Sequence, residues 1–177
     1  MSLSADSPPG KYRSACAKGF VMRTNETFVV GAQLQVVIRL QAIRTLVSEW
    51  QQNRDLYSIG NDSPTQELIW VIQGTAAAAR TAGLVGFASV CWHVCERVTL
   101  LPEPGAMPTR LRGLLLNWSA YSELYVRRPW HAQFAMAVVE QLNNRGWGRP
   151  LHQIERAELL SAMQETFCPS APLSTPK

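Results

Sequence analysis

Reactive side chains are sparse in this chain. It has three histidines, His93, His131 and His152, and four cysteines, Cys16, Cys91, Cys95 and Cys168. His93 lies between Cys91 and Cys95, a grouping that invites metal ligation. On a helix, though, His93 points away from both thiols, and no second ligand pair stands at a zinc spacing. Cys91 and Cys95 sit one helical turn apart inside an apolar pattern, as buried thiols in a reducing compartment do. Four unevenly placed cysteines do not make a disulfide framework in 177 residues. Glu96, Glu123, Glu140, Glu155 and Glu158 are spread like surface helix residues, with no carboxylate pair for acid–base work. There is no phosphate-cradling glycine loop and no nucleophile elbow. The expectation is a protein with no catalytic residue, no metal and no cofactor.

Composition narrows the class. At 177 residues, 46% hydrophobic and 17% charged, the chain suits one globular domain with a sizeable core and excludes overall disorder. No apolar run reaches the roughly 18–20 residues of a membrane span. Residues 1–20 lack the continuous apolar stretch of a secretory signal. A cytoplasmic location without membrane insertion is therefore expected. The net charge of +4 is scattered, with Arg127-Arg128 and the group Lys11, Arg13 and Lys18 as the nearest things to clusters. Nucleic-acid binders concentrate such charge along one element, so no nucleic-acid partner is expected. A helix-turn-helix reading of 81–97 fails because Phe87, Cys91, Trp92 and Val94 make its second helix too apolar to read a groove. Asn25 and Asn117 head glycosylation sequons, but Asn117 falls in mid-helix.

The elements that must position any site are helical throughout. Val29, Val36, Ile43 and Trp50 recur every seven residues with Leu40 and Val47 between them, predicting an amphipathic helix of about six turns that ends near Asn53. A polar loop through Gly60-Asn61-Asp62 follows. Ser63-Pro64-Thr65-Gln66 reads as a capping box with proline at the first helical position. The second helix then runs to about Ala82, burying Leu68, Ile72, Ala76 and Ala79, and Gly83 closes it. A third spans Leu84 to Leu101 on the rows Leu84, Cys91, Val98 and Phe87, Val94, Leu101, and Pro102-Glu103-Pro104-Gly105 breaks it. A fourth carries Leu111, Trp118 and Tyr125 beside Leu114 and Tyr121, stopping at Arg128 because a residue before proline avoids the helical region. Pro129 is expected to open a fifth through Phe134, Val138 and Leu142, closed by Gly146-Trp147-Gly148. A sixth, over 151–167, shows the weaker stripe Leu151, Ile154, Leu159 and Met163. The expected fold is all-α, an up-down, four-helix-like bundle with extra C-terminal helices. A flexible segment 1–25 precedes one domain, 26–167, and a proline-punctuated tail, 168–177, follows.

The stretch from Gln73 to Leu84, and above all Ala79-Arg80-Thr81-Ala82-Gly83-Leu84, resembles the signature helix of histidine-containing phosphotransfer (HPt) domains, including those of chemotaxis-type kinases that control type IV pili. The family pattern is histidine, two residues, lysine-glycine-small-small, then a short stretch ending in glycine and an apolar residue. Laid on without a gap, Gln73 takes the histidine position, Ala76 the lysine and Ala77 the glycine. With a three-residue insertion, Gln73-Gly74 takes the lysine-glycine pair and Trp70 the histidine. Neither register supplies a histidine. The resemblance covers residues 29–101. It implies a degenerate HPt domain, because an amide nitrogen delocalised into its carbonyl can hydrogen-bond but cannot attack phosphorus as imidazole does.

What the resemblance implies is binding without phosphotransfer: a non-catalytic signalling module that docks a response-regulator receiver or a histidine kinase component of a bacterial two-component or chemotaxis-type system. The docking face would be Trp70, Gln73, Gly74, Ala77 and Arg80; on the wheel Trp70, Gly74 and Ala77 fall opposite the Ile72 stripe, with Gln73 beside them. Trp70 admits two positions, an anchor over small residues or a core side chain under another helix or a terminal tail. Two other functions stay open at this point, a helical adaptor unrelated to HPt proteins and an active phosphotransfer protein that uses His93.

Overall fold

The computed structural model describes residues 13–52, 64–100 and 109–165, with the side chains of its first helix described over 30–50. Seven-residue apolar rows become six α-helices among these residues: α1 (Arg13–Gln52), α2 (Pro64–Thr81), α3 (Val85–Thr99), α4 (Thr109–Arg127), α5 (Ala132–Leu142) and α6 (Gln153–Glu165). A single 3₁₀ turn, Arg145–Trp147, joins the last two.

The α2–α3 hairpin is set by local chemistry. Gly83 has φ +76°, the left-handed conformation that glycine adopts without a Cβ penalty. The Leu84 N–H donates to Ala79 O at 2.8 Å and the Gly83 N–H to Arg80 O at 3.0 Å. This is the double bond of a Schellman closure, which satisfies carbonyls that a helix end leaves open. Leu84 and Ala79, fully buried, seal it from inside.

The main helix–helix contacts close a ring in the order α1, α2, α3, α6, α5, α4 and back to α1, with a smaller contact between α3 and α5. Directions alternate around it in an up-down bundle. At one end of the α3–α6 pair, Gly86 lies against the backbone of Ala162 and Met163. At the other, the Arg97 side chain reaches Arg149 O, ahead of α6. Inside the ring, the Phe87 ring stacks with Trp118 at 6.3 Å between centroids and meets Tyr125 at 5.7 Å. All three are fully buried. The Tyr125 hydroxyl donates to Met163 O at 2.9 Å, joining α4 to α6 through the core. Burial pushes the Tyr125 pKa up to about 12, so it remains a donor at any physiological pH.

On the α1–α4 seam, Arg44 pairs with Glu123, which also accepts two bonds from Arg127, at 3.0 Å from Nε and 2.7 Å from Nη2. Desolvation alone would raise the Glu123 pKa. The hydrogen bonds from Arg44 and Arg127 outweigh it and hold the carboxyl below its ordinary value.

Several expectations need correction. Helix α1 starts at Arg13 and runs 40 residues, well beyond the six turns expected. A helix already nucleated adds residues without an apolar stripe so long as no proline intervenes, and none does between Gly10 and Ser63. Helix α5 starts at Ala132. Pro129 instead sits inside a turn in which the His131 N–H donates to Arg128 O, a role its fixed φ suits. Tyr121 and Ile154, assigned to core seams, are 39% and 62% exposed, whereas Leu115, Ser119, Ser122 and Val126 complete the buried face of α4. The cap at Ser63, the break at Pro102–Gly105, the loop 53–62, Leu101 and the tail 168–177 lie outside the described residues.

Two glycines separate packing from propensity. A Cβ at Gly86 would run into the α6 backbone, whereas one at Gly113 in α4 meets nothing within 4 Å. Gly86→Ala should destabilise by about 2–3 kcal/mol through overpacking, and Gly113→Ala should stabilise by up to about 1 kcal/mol through helix propensity, both measured by urea unfolding. Because the folded Glu123 pKa is depressed, its contribution is present above the ordinary glutamate value of 4.5 and fades as pH falls through the lower folded value. Glu123→Gln should flatten the loss of stability seen on acidification below about pH 4.5, read from unfolding curves across that pH range.

Candidate functional site

Helix α2 turns one face to the core and leaves the opposite face outward. Leu68, Ile72, Thr75, Ala76 and Ala79 are buried. Trp70 is 62% exposed, and Ala77 and Arg80 are exposed with it. No described helix covers Trp70, and cover by a terminal tail falls outside the described residues.

The rest of this face is shaped by its neighbours in the ring. Gly74, one turn beyond Trp70, forms a notch in which the guanidinium of Arg39 from α1 lies. Arg39 is itself exposed and makes no ion pair with a carboxylate among the described residues. Gln73 is half-buried and stands apart from the other four. Its side chain is within hydrogen-bonding reach of the Cys95 thiol on α3. Burial raises the Cys95 pKa and that bond pulls it part of the way back, while burial drives the Cys91 thiol up outright. Neither thiol is a nucleophile at neutral pH. Trp70, Gly74, Ala77 and Arg80 thus come together on one surface, with Arg39 added to them and Gln73 at its edge. Arg39 was not foreseen. Its partner notch is in a different helix, and the one local signal was an arginine in the apolar stretch 36–43.

The histidines divide. His131 packs its ring on Phe134 at 4.9 Å, and His152 caps α6, its Nδ1 accepting from the Ile154 N–H at 3.4 Å while Glu155 accepts from the His152 N–H at 2.8 Å. His93 lines an open cleft of ≈ 260 Å³ with Glu96, Arg97, Leu100, Arg149 and Glu155. Two cations stand beside His93 at this cleft, Arg97 one turn along α3 and Arg149 from the segment before α6. Among the described residues, no three histidine, cysteine or acidic side chains come together to hold a metal ion. No described helix is long and apolar enough to cross a membrane.

No protein-family model, curated protein or solved structure matches the chain. The α2 face and the cleft therefore have to be read from their own chemistry.

The notch at Gly74 is not required by the fold, since only the movable end of Arg39 fills it. Gly74→Ala should therefore raise stability by up to about 1 kcal/mol, the helix propensity gained. Trp70→Ala, on an exposed position, should shift it by no more than about 0.5 kcal/mol. Thermal unfolding of both variants checks this, and a large loss for Trp70→Ala would mean that the indole is covered.

Proposed function

We propose that the chain is a non-catalytic, HPt-like interaction module of bacterial signalling, acting in the cytoplasm, and that it docks a receiver domain or a kinase component through the outer face of α2. The observation that carries this reading is Trp70, a large aromatic side chain left outward on the helix that carries the Gly74 notch, with two arginines, Arg39 and Arg80, that make no ion pair with a carboxylate among the described residues. Aromatic anchors over small residues concentrate binding energy, because the indole buries a large area and the missing side chains let another backbone come close. The two guanidiniums suit a partner surface rich in carboxylates, as steering and orientation then favour it.

Burial also favours one of the two registers on the HPt pattern. The ungapped register asks for a lysine at Ala76, which is 1% exposed in the core between helices. A lysine there would bury an unpaired charge. The gapped register sets Trp70, Gln73 and Gly74 at the histidine, lysine and glycine positions, with Trp70 outward and Gly74 open to all but a movable side chain. In that register the reactive atom of the family is replaced by a hydrophobic anchor, which supports docking without transfer.

The test is binding of purified receiver domains, with and without acetyl phosphate, to the full chain. Wild type should bind, and Trp70→Ala should bind at least about tenfold more weakly, as loss of an interfacial tryptophan anchor does. Gly74→Ala should weaken binding while leaving the fold intact. Acid-labile phosphate accumulating on the chain, or binding indifferent to Trp70→Ala, would overturn the proposal.

A further inference from the structure

The cleft at the far end of the α3–α6 seam has a feature that the α2 face lacks, a buried cation held rigid. Arg97 is 5% exposed. Its Nε donates to Arg149 O at 3.2 Å and its Nη1 to His93 O at 2.9 Å, which fixes the plane of the guanidinium. It forms no ion pair with a carboxylate among the described residues. Buried charges are ordinarily paired, and a guanidinium has five donors, of which two carbonyls use only part. Burial pulls the Arg97 pKa down from the ordinary arginine value, with Glu155 acting in the other direction.

The other charges at the cleft are largely engaged or solvated. Glu155 accepts from the His152 N–H at the start of α6 and from Arg149 at 3.3 Å. The Glu96 side chain is 69% exposed and stands 3.9 Å from His93 Nδ1. The Arg149 side chain is 70% exposed, so it can turn toward a ligand in the cleft without disturbing the core.

We propose that this cleft binds a small phosphate monoester, its phosphoryl oxygens received by the guanidiniums of Arg97 and Arg149 and its organic part lying along the exposed Leu100. Phosphate is favoured over carboxylate on charge. The ligand must draw Arg149 from Glu155, a monoanion, and a phosphate monoester carries close to two charges at neutral pH. The planar forks of two arginines match several phosphoryl oxygens at once. A cleft of ≈ 260 Å³ leaves room for a substituent beyond the phosphoryl group.

This inference stands apart from the α2 face and can fail without affecting it. Phenyl phosphate is titrated into the full-length chain at about physiological ionic strength, with phenol as the uncharged control, and backbone amide shifts are followed by NMR. Saturable shifts gathered on residues 93–100 and 149–155, absent with phenol, are expected. Arg149→Ala, an exposed change that leaves Arg97 anchored through the backbone carbonyl, should weaken binding at least about tenfold, the effect of losing a charge-assisted contact. Glu96→Gln should tighten it severalfold by removing a competing anion, which a purely structural role for the arginines does not foresee. Absence of saturable shifts, or shifts scattered over Arg80, Arg127 and Arg128 and unchanged by Arg149→Ala, would overturn the proposal.

Discussion

The close approach of α3 to α6 at Gly86 is the constraint on which the rest of the bundle depends. With no side chain at that position the two backbones touch, and α6 comes near enough for Met163 O to receive the Tyr125 hydroxyl. That bond brings α4 to α6 through the core, and the Phe87 ring fills the space between Trp118 and Tyr125. Any side chain at residue 86 would push α6 outward and lengthen the Tyr125 contact, while the far end of the same seam is pinned by Arg97 on Arg149 O. A displaced α6 would therefore have to pivot, opening the ring at α5 and α6. The aromatic centre depends on the glycine.

The same pinning defines the cleft beside it. Because Arg97 is spent on holding the segment before α6, it is buried and fixed, and a fixed cation at the rim of a cleft is preorganised for an anion. The α2 face is arranged differently. Arg39 lies in the Gly74 notch without a carboxylate among the described residues, so a docking backbone, on the proposed function, would displace only the end of a side chain, which would remain at the edge as a charge. On the two proposals, one surface would offer rigid recognition of a small group and the other an adaptable contact with a large one.

Local chemistry was legible in the residues and distant contact was not. Gly83 reads as a helix stop because a left-handed position and a Schellman closure involve only residues 79–84, and the structure forms both. The outward direction of Trp70 also follows from its phase against Ile72. What phase cannot say is whether another element covers it, and that depended on how far α1 reaches over α2. Gly86 gave no sign of its importance, since the atoms it must avoid belong to Ala162 and Met163 at the other end of the chain. Arg97 stood one turn from His93 in plain sight, but its meaning required Arg149. Tyr121 and Ile154 misled for a related reason. The seven-residue row marks a face, while burial is decided by which neighbour arrives there, and at α4 the neighbours cover Ser119 and Ser122 instead.

These placements bear on what an HPt-like reading would mean chemically. A histidine at position 73 would be half-buried beside the Cys95 thiol, its nucleophilic nitrogen crowded by α3. At position 70 an imidazole would stand in solvent, with Gly74 one turn away to let an acyl phosphate approach. Only the second position has the exposure that in-line attack at phosphorus needs. Under that reading the departure of interest is the tryptophan at 70 more than the glutamine at 73. An indole nitrogen has no basic lone pair and cannot take a phosphoryl group, but its ring presents far more apolar area than imidazole. On that reading the substitution would remove transfer and strengthen contact in one step, and Arg39, lying in the notch at Gly74, would supply a positive charge next to Gln73, which stands at the lysine position.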